Sequence, residues 1–325
     1  MHAQRPVRES ILEIDDDSWI IGDRLLLVRQ PVAPPSNRFW SDGQGAFFVI
    51  CEGPSPLPQT RALSPTSPIQ LVHDAGDANA AWRIGEAFLK VQASNPNTTN
   101  RTREHVTLNY LHDPSNKATP TFRTPVVLFH MEYDNRYYLF TSRVPGDTLE
   151  KAWPSMDEAN KQACVRQVVD VCKELAQMKN DKICGVDGRE LPESWLKVPR
   201  ALEGYSHEEL LLDCKELGMD CREFVLHHCD MGPYNVVVDQ TDGCVVGIID
   251  WEATGYVPKD WIRTKFSLCW AMDFDFPGED TQKSGDWRQR VQLLLGQEGF
   301  LEVGAAWKSR YLRERSSTSV EPQEA

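Results

Sequence analysis

FVLHHCDMGPYNVVVDQTDGCVVGIIDWEATGY, residues 224–256, decides how this chain is read. Phe224 to Leu226 is a short apolar run, and the polar Gly-Pro-containing loop HCDMGPYN follows it. Val236 to Val238, the turn Asp239-Gln240-Thr241-Asp242-Gly243 and the run Val245 to Ile249 then predict a β-hairpin closed by an Asp-Gly turn. A hairpin brings its ends together, so Asn235 at its start and Asp250 after its finish are expected side by side. An Asp carboxylate and an Asn carbonyl are hard oxygen donors of the kind that hold Mg2+ and leave room for phosphate and water. Asp230, on the same loop, is placed to accept a proton from a hydroxyl as its oxygen attacks a phosphoryl group.

The order H-x-D-x-x-x-x-N, followed by an Asp after a hairpin, resembles the catalytic and metal loops of the protein-kinase-like superfamily. IIDWEATGY in place of Asp-Phe-Gly is similar to the aminoglycoside phosphotransferase (APH) branch, whose members phosphorylate small molecules. GFLEVGAAWK at 299–308 resembles the C-terminal end of fungal members of that branch. The resemblance covers about residues 69–313. It implies an α+β, bilobal protein-kinase-like fold with a small antiparallel N-lobe sheet and a mainly helical C-lobe. It also implies ATP and Mg2+ as cofactors and a small-molecule substrate.

The composition fits a folded soluble protein, with 41% hydrophobic and 26% charged residues. Its net charge of −13 repels polyphosphate backbones and argues against nucleic-acid binding. No apolar run approaches a bilayer span, and MHAQRPVRES leads into acidic residues and not into a signal core, so a cytoplasmic protein without a membrane anchor is expected. The nine cysteines include no Cys-x-x-Cys pair and read as reduced thiols. His227, His228 and Cys229 are consecutive and point apart, with no second ligand pair at a usual spacing, so thiolate–metal ligation is not expected.

Working outward, residues 1–68 read as an N-terminal extension. Trp19 to Arg29 predicts a strand pair turning at Gly22-Asp23, Phe39 to Ile50 offers a further strand, and prolines 54, 56, 58, 65 and 68 make a linker. Trp19 to Val28 echoes Trp82 to Val91, which we read as two similar hairpins and not as a duplication. The N-lobe is expected at 69–144, with strands Ile69–His73, Ala81–Ile84, Ala87–Val91, Thr124–Phe129 and Arg136–Thr141. Lys90 alternates with Leu89 and Val91 and so faces away from them.

The resemblance makes Lys90 the ligand of the ATP α- and β-phosphates and Glu104, on a helix over 102–111, its partner. A strand-end lysine and a first-turn carboxylate also occur for purely structural reasons. Adenine recognition is expected from the backbone of the linker around Ser142 to Val144. The loop 74–80 has only Gly76 where the protein-kinase pattern has three glycines.

The C-lobe is expected at 145–313 and a disordered tail at 314–325. Capping boxes at Ser155–Glu158 and Ser206–Glu209 open two helices, the first running to about Lys179. After Asp250 a helix-like stretch, KDWIRTKFSLCWAM, follows within about ten residues, leaving little platform for a peptide. Glu252, Asp260, Asp273 and Asp275 add carboxylates that either hold a cationic substrate or are solvated. The expected roles are therefore Asp230 as the catalytic residue, Asn235 and Asp250 as metal ligands, and Lys90, Glu104, Ser142 and Val144 around the nucleotide. His228 is expected to anchor the loop through its backbone. The expected reaction moves the γ-phosphoryl of ATP to a hydroxyl of an aminoglycoside-, choline- or amino-acid-like molecule. The alternative is a weak or inactive kinase-like nucleotide-binding module.

Overall fold

The echoing hairpins organise the first half of the chain. Gly22 and Asp23 both take positive φ, +59° and +54°, which is what a tight turn between twisted strands requires. They join β2 (Ser18–Ile21) to β3 (Leu25–Gln30). Gly85, at φ +58°, turns β7 (Asn79–Ile84) into β8 (Ala87–Ala93). The computed structural model describes residues 5–35, 38–95, 100–115, 120–198, 204–239, 244–274 and 284–318.

The chain divides into two compact units, one made of residues 1–99 and 125–143, the other of 100–124 and 144–325. The first holds two five-stranded antiparallel sheets. Strands β1 (Ile11–Asp15), β2, β3, β4 (Phe39–Ser41) and β5 (Phe47–Glu52) run in the order β1-β2-β3-β5-β4. Strands β6 (Ile69–Asp74), β7, β8, β9 (Val127–Tyr133) and β10 (Arg136–Ser142) run in the order β6-β7-β8-β10-β9.

Alternation in both sheets sends one face inward, and the inward faces share a single core. Trp19, Leu27, Phe48, Trp82, Leu89 and Phe140 are fully buried in it. The indole N–H of Trp40 crosses between the sheets to the Ile84 carbonyl at 2.7 Å. The segment before the Pro-rich linker and the strands after it are thus halves of one sandwich. The linker itself is irregular, touching β1 through an Arg61–Glu13 bridge. The stretch 39–50 makes two strands around its Gly-rich turn, where one was expected.

In the second unit α1 (Glu104–His112) is followed by β11 (Asp147–Thr148), α2 (Leu149–Ala152) and α3 (Glu158–Leu175). The expected cap at Ser155 is displaced to Asp157, whose carboxylate accepts the Asn160 amide at 2.8 Å. Ser155 instead closes a tight turn that starts at Trp153-Pro154, donating to the Ala152 carbonyl at 2.9 Å. A short strand, β12 (Lys179–Asn180), replaces the expected last turn of helix. The second expected cap holds: Ser206 and Glu209 form a capping box opening α4 (His207–Glu216).

Two three-stranded sheets follow, β11-β14-β15 and β12-β13-β16, from β13 (Phe224–His228), β14 (Val236–Val238), β15 (Val245–Ile248) and β16 (Thr254–Pro258). Helices α5 (Lys259–Leu268), α6 (Asp286–Gln297) and α7 (Gly304–Thr318) complete the unit, with α3 and α5 both packed on α6. Helix α7 continues into the stretch read as a tail, where residues 319–325 lie outside the described residues. Among the described residues no helix is long and apolar enough to cross a membrane. The architecture is α+β, with antiparallel sheet in one unit and most of the helix in the other.

Candidate active site

The loop between β13 and β14 is fixed from below by a buried histidine. His228 has no exposed surface, and its Nδ1 accepts the Asp230 amide at 3.3 Å while Nε2 faces the Ile249 carbonyl at 3.1 Å. Those two bonds require the neutral tautomer with the proton on Nε2. Burial pushes its pKa below the usual range, against the opposing pull of Asp230 and Asp250. The anchoring role expected of His228 is what the geometry contains. The edge of its ring lies against Trp251, with centroids 4.9 Å apart.

Asn235 locks the other end of the loop. Its Nδ2 donates to the Asp230 carbonyl at 2.8 Å and to the Asp230 carboxylate at 3.0 Å. Its carbonyl accepts the Ile249 amide at 2.9 Å. The hairpin pairs Val236 with Ile248, with an irregularity between Val237 and Val238, so Asn235 and Asp250 stand at its two ends. Residues 240–243 of the expected turn lie outside the described residues, and the Asp239 amide to Cys244 carbonyl bond of 2.9 Å closes around them.

Asp250 takes φ +66° and ψ +63°, a left-handed conformation that Asp tolerates better than most residues. The bend sets up a feature the sequence did not predict. Glu104, 4% exposed at the start of α1, accepts the Trp251 amide at 3.1 Å. Its carboxylate, that of Asp250 and that of Glu252 present oxygens all within 4.8 Å of one another. Carboxylates gathered this closely suit a divalent cation. With Nδ2 of Asn235 committed to Asp230, its remaining polar atom is Oδ1, again a hard oxygen. The donor set fits Mg2+.

Phe122 stacks on Trp251 with centroids 6.1 Å apart, and Arg123 pairs its backbone with Val246 and Ile248 at 3.1 and 2.9 Å. This support for the hairpin that carries Asn235 and Asp250 was also missed. Its only signal was an apolar aromatic beside the expected strand at Thr124.

The other expected residues are distributed as follows. Lys90 lies in the first unit, on β8, its side chain on the face opposite buried Leu89 and Val91 as alternation requires. Glu104 lies in the second unit, so the two expected partners belong to different units. The Ser142 hydroxyl accepts the Val126 amide at 2.8 Å, and Ser142 ends the first unit's β10. Val144 is buried in the second unit, close to Gly247. Asp260 accepts the Asp220 amide at 2.9 Å and Asp273 is ion-paired with Arg288, so neither is a simple solvated charge. Asp275 lies outside the described residues. In the turn 74–80, the Ala75 amide donates to the Asn79 carbonyl and the Gly76 amide to the Asp74 carboxylate.

A fold with this loop, hairpin and carboxylate set is that of a kinase-like phosphotransferase. The family model of the phosphotransferase enzyme family (APH) matches residues 74–258, and the chain belongs to that family. No curated protein matches the chain. Among solved structures, an aminoglycoside-3'-phosphotransferase of type VIII is similar at 17% identity, covering 76% of this chain and 93% of its own, with a TM-score of 0.47. APH(3'')-Id from Streptomyces rimosus is similar at 17% identity over 75% and 88%, TM-score 0.44. The streptomycin–ATP complex of APH(2'')-IIa is similar at 14% identity over 76% and 82%, TM-score 0.45. Nothing found supports the fungal-type likeness of residues 299–308, and the family match ends before them.

Proposed function

We propose that the protein transfers the γ-phosphoryl group of ATP to a hydroxyl of a small molecule. The observation that carries this is the doubly tied pair Asn235–Asp230, set beside Asp250 by the Ile249 to Asn235 bond. In this reading Asp230 orients the acceptor hydroxyl and takes its proton as the oxygen attacks phosphorus. The Asn235 amide keeps that carboxylate aimed. Asn235 Oδ1 and Asp250 would hold Mg2+, which when bound offsets the charge on the phosphate oxygens. Lys90 would bind the nucleotide phosphates, with the backbone around Ser142 to Val144 at the adenine. The short run from Asp250 to α5 favours a small acceptor over a peptide, in the class of amino-sugars, amino alcohols or amino acids.

A second reading is favoured by the turn 74–80, whose amides at Ala75 and Gly76 are already committed. Fewer free N–H groups over the phosphates would leave a weakly active nucleotide-binding module. The deciding experiment measures thermal stabilisation by ATP with and without Mg2+, then screens amino-sugars, amino alcohols, sugars and amino acids for ATP consumption. Mg2+-dependent stabilisation plus acceptor-dependent turnover is the expected result. Stabilisation without turnover supports the second reading, and no stabilisation by ATP overturns both.

A further inference from the structure

Helix α4 ends in a reversal that doubles the chain back over its own last turn. Gly218 takes φ +84°, its amide donates to the Lys215 carbonyl at 3.0 Å, and the Met219 amide donates to the Cys214 carbonyl at 3.1 Å. This nested pair of bonds around a left-handed glycine is a Schellman stop, and a Cβ at that glycine would strain it. Two residues on, Cys221 turns back along the same path. Its thiol donates to the Met219 carbonyl at 3.5 Å and stands in hydrogen-bond contact with the thiol of Cys214.

The leg that carries Cys221 is held on both sides. The Asp220 amide donates to the Asp260 carboxylate of α5 at 2.9 Å, and the Arg222 guanidinium closes on the Asp220 carboxylate at 2.6 Å. Both cysteines are free, Cys214 fully buried on α4 and Cys221 half-buried beside it.

The pair is also polarised. The hydrogen bond from the Cys214 thiol, helped by Lys215, holds the Cys221 thiol below its ordinary range against burial, Asp220 and Asp260. The same bond, and then burial, keep the proton on Cys214. Thiolate character therefore falls on the partly exposed sulfur, and a second thiol already touches it. Burial pushes Cys164 and Cys172 the other way, up to about 12, which makes them inert.

We propose that Cys214 and Cys221 form a dithiol site that a hydroperoxide converts reversibly to a disulfide, stapling the end of α4 to the segment that enters β13. In the first step the Cys221 thiolate attacks a peroxide oxygen and the O–O bond breaks. Cys221 becomes a sulfenic acid, and the departing hydroxide takes up a proton as water. In the second the Cys214 sulfur attacks Cys221 Sγ, and the S–O bond breaks as the S–S bond forms. The Cys214 proton leaves with the hydroxide as a second water. Two thiols and one hydrogen peroxide thus give one disulfide and two waters. Since the thiols already touch, the chain needs little movement to close the link.

The test uses the full chain, reduced, freed of reductant and exposed while folded to hydrogen peroxide. Lys215 lies between the two cysteines, so trypsin divides them between peptides 201–215 and 216–222, and a disulfide shows as a linked pair of these. That linked pair is expected, with an intact mass lower by two hydrogens and alkylatable thiols down from nine to seven. Dithiothreitol should restore all nine. Cys221→Ser, at a half-buried position, should keep every remaining thiol. Cys214→Ala should leave Cys221 as a sulfenic acid that dimedone traps.

The proposal is overturned if the folded chain gives no linked pair, or gives one only after unfolding in urea. It is equally overturned if Cys221 links to another cysteine or to a second chain, or if Cys221→Ser loses thiols as the parent does. Dimedone labelling of other cysteines but not of Cys221 in Cys214→Ala also sinks it.

Discussion

The carboxylate of Asp230 and the side-chain amide of Asn235 meet at 3.0 Å, while the same amide holds the Asp230 carbonyl at 2.8 Å. One residue therefore fixes both the main chain and the side chain of the other, and the loop between them cannot drift without breaking both bonds.

Replacing Asp230 by Ala should remove the proton acceptor while leaving the fold and nucleotide contacts in place. Acceptor-dependent ATP turnover should fall by about 10²–10⁴-fold. Calorimetric affinity for Mg2+-ATP should stay within a few-fold of the parent. Turnover equal to that of the parent would sink the mechanism.

His227 predicts an acid-labile fold. It is fully buried, neither ring nitrogen has a partner among the described residues, and burial pushes its pKa down to about 3. Its unfolded value is near 6.5, so the neutral ring contributes its full stability above that pH and loses it as pH falls toward 3. Between pH 6.5 and pH 5 the loss from this group is about 2 kcal/mol. Urea unfolding of the parent and of His227→Phe at pH 7 and pH 5 should show the gap between them shifting by that order in favour of the variant. A gap that does not move with pH refutes the assignment.

The buried ion pair Lys265–Glu193 should behave asymmetrically. Its atoms meet at 2.8 Å with 5% and 3% side-chain exposure. Lys265→Met strands a buried carboxylate and should cost about 3–5 kcal/mol. Adding Glu193→Leu should recover much of that loss, although Glu193 also accepts the Trp195 amide at 2.9 Å. A double-mutant cycle by chemical denaturation measures it, and strictly additive losses would refute the coupling.

Gly85 sits at φ +58°, and a Cβ there would meet the Asp42 Cα at 2.7 Å. Gly85→Ala should therefore destabilise the sandwich by more than about 1 kcal/mol through strain and collision together. The midpoint of urea unfolding should fall without a change in slope.

The hairpin of the candidate site was legible because its residues are close in sequence and its apolar runs have strand period, so Asn235 and Asp250 could be paired from spacing. Lys90 followed from simple alternation. Glu104 could be named but not placed, because its bond to Trp251 spans 147 residues and such a contact leaves no local pattern. The Ser155 cap was misread since Asp157, two positions later, offers the same chemistry to a helix that starts later. Prolines 54 to 68 suggested separation, whereas an irregular linker only says that the chain is neither helix nor central strand, and it can return to its own sheet partner.

The shared core of the two sheets bears on what can be exchanged between relatives. The matched stretch, 74–258, begins at the last residue of β6 and carries only one face's worth of the apolar interior. Cut there, Trp82, Leu89 and Phe140 would lose the opposite wall formed by Trp19, Trp40 and Phe48. In this chain the heritable module and the folding module therefore differ, and a chimera that swaps the former must carry residues before 74 with it or inherit an adhesive, half-finished surface.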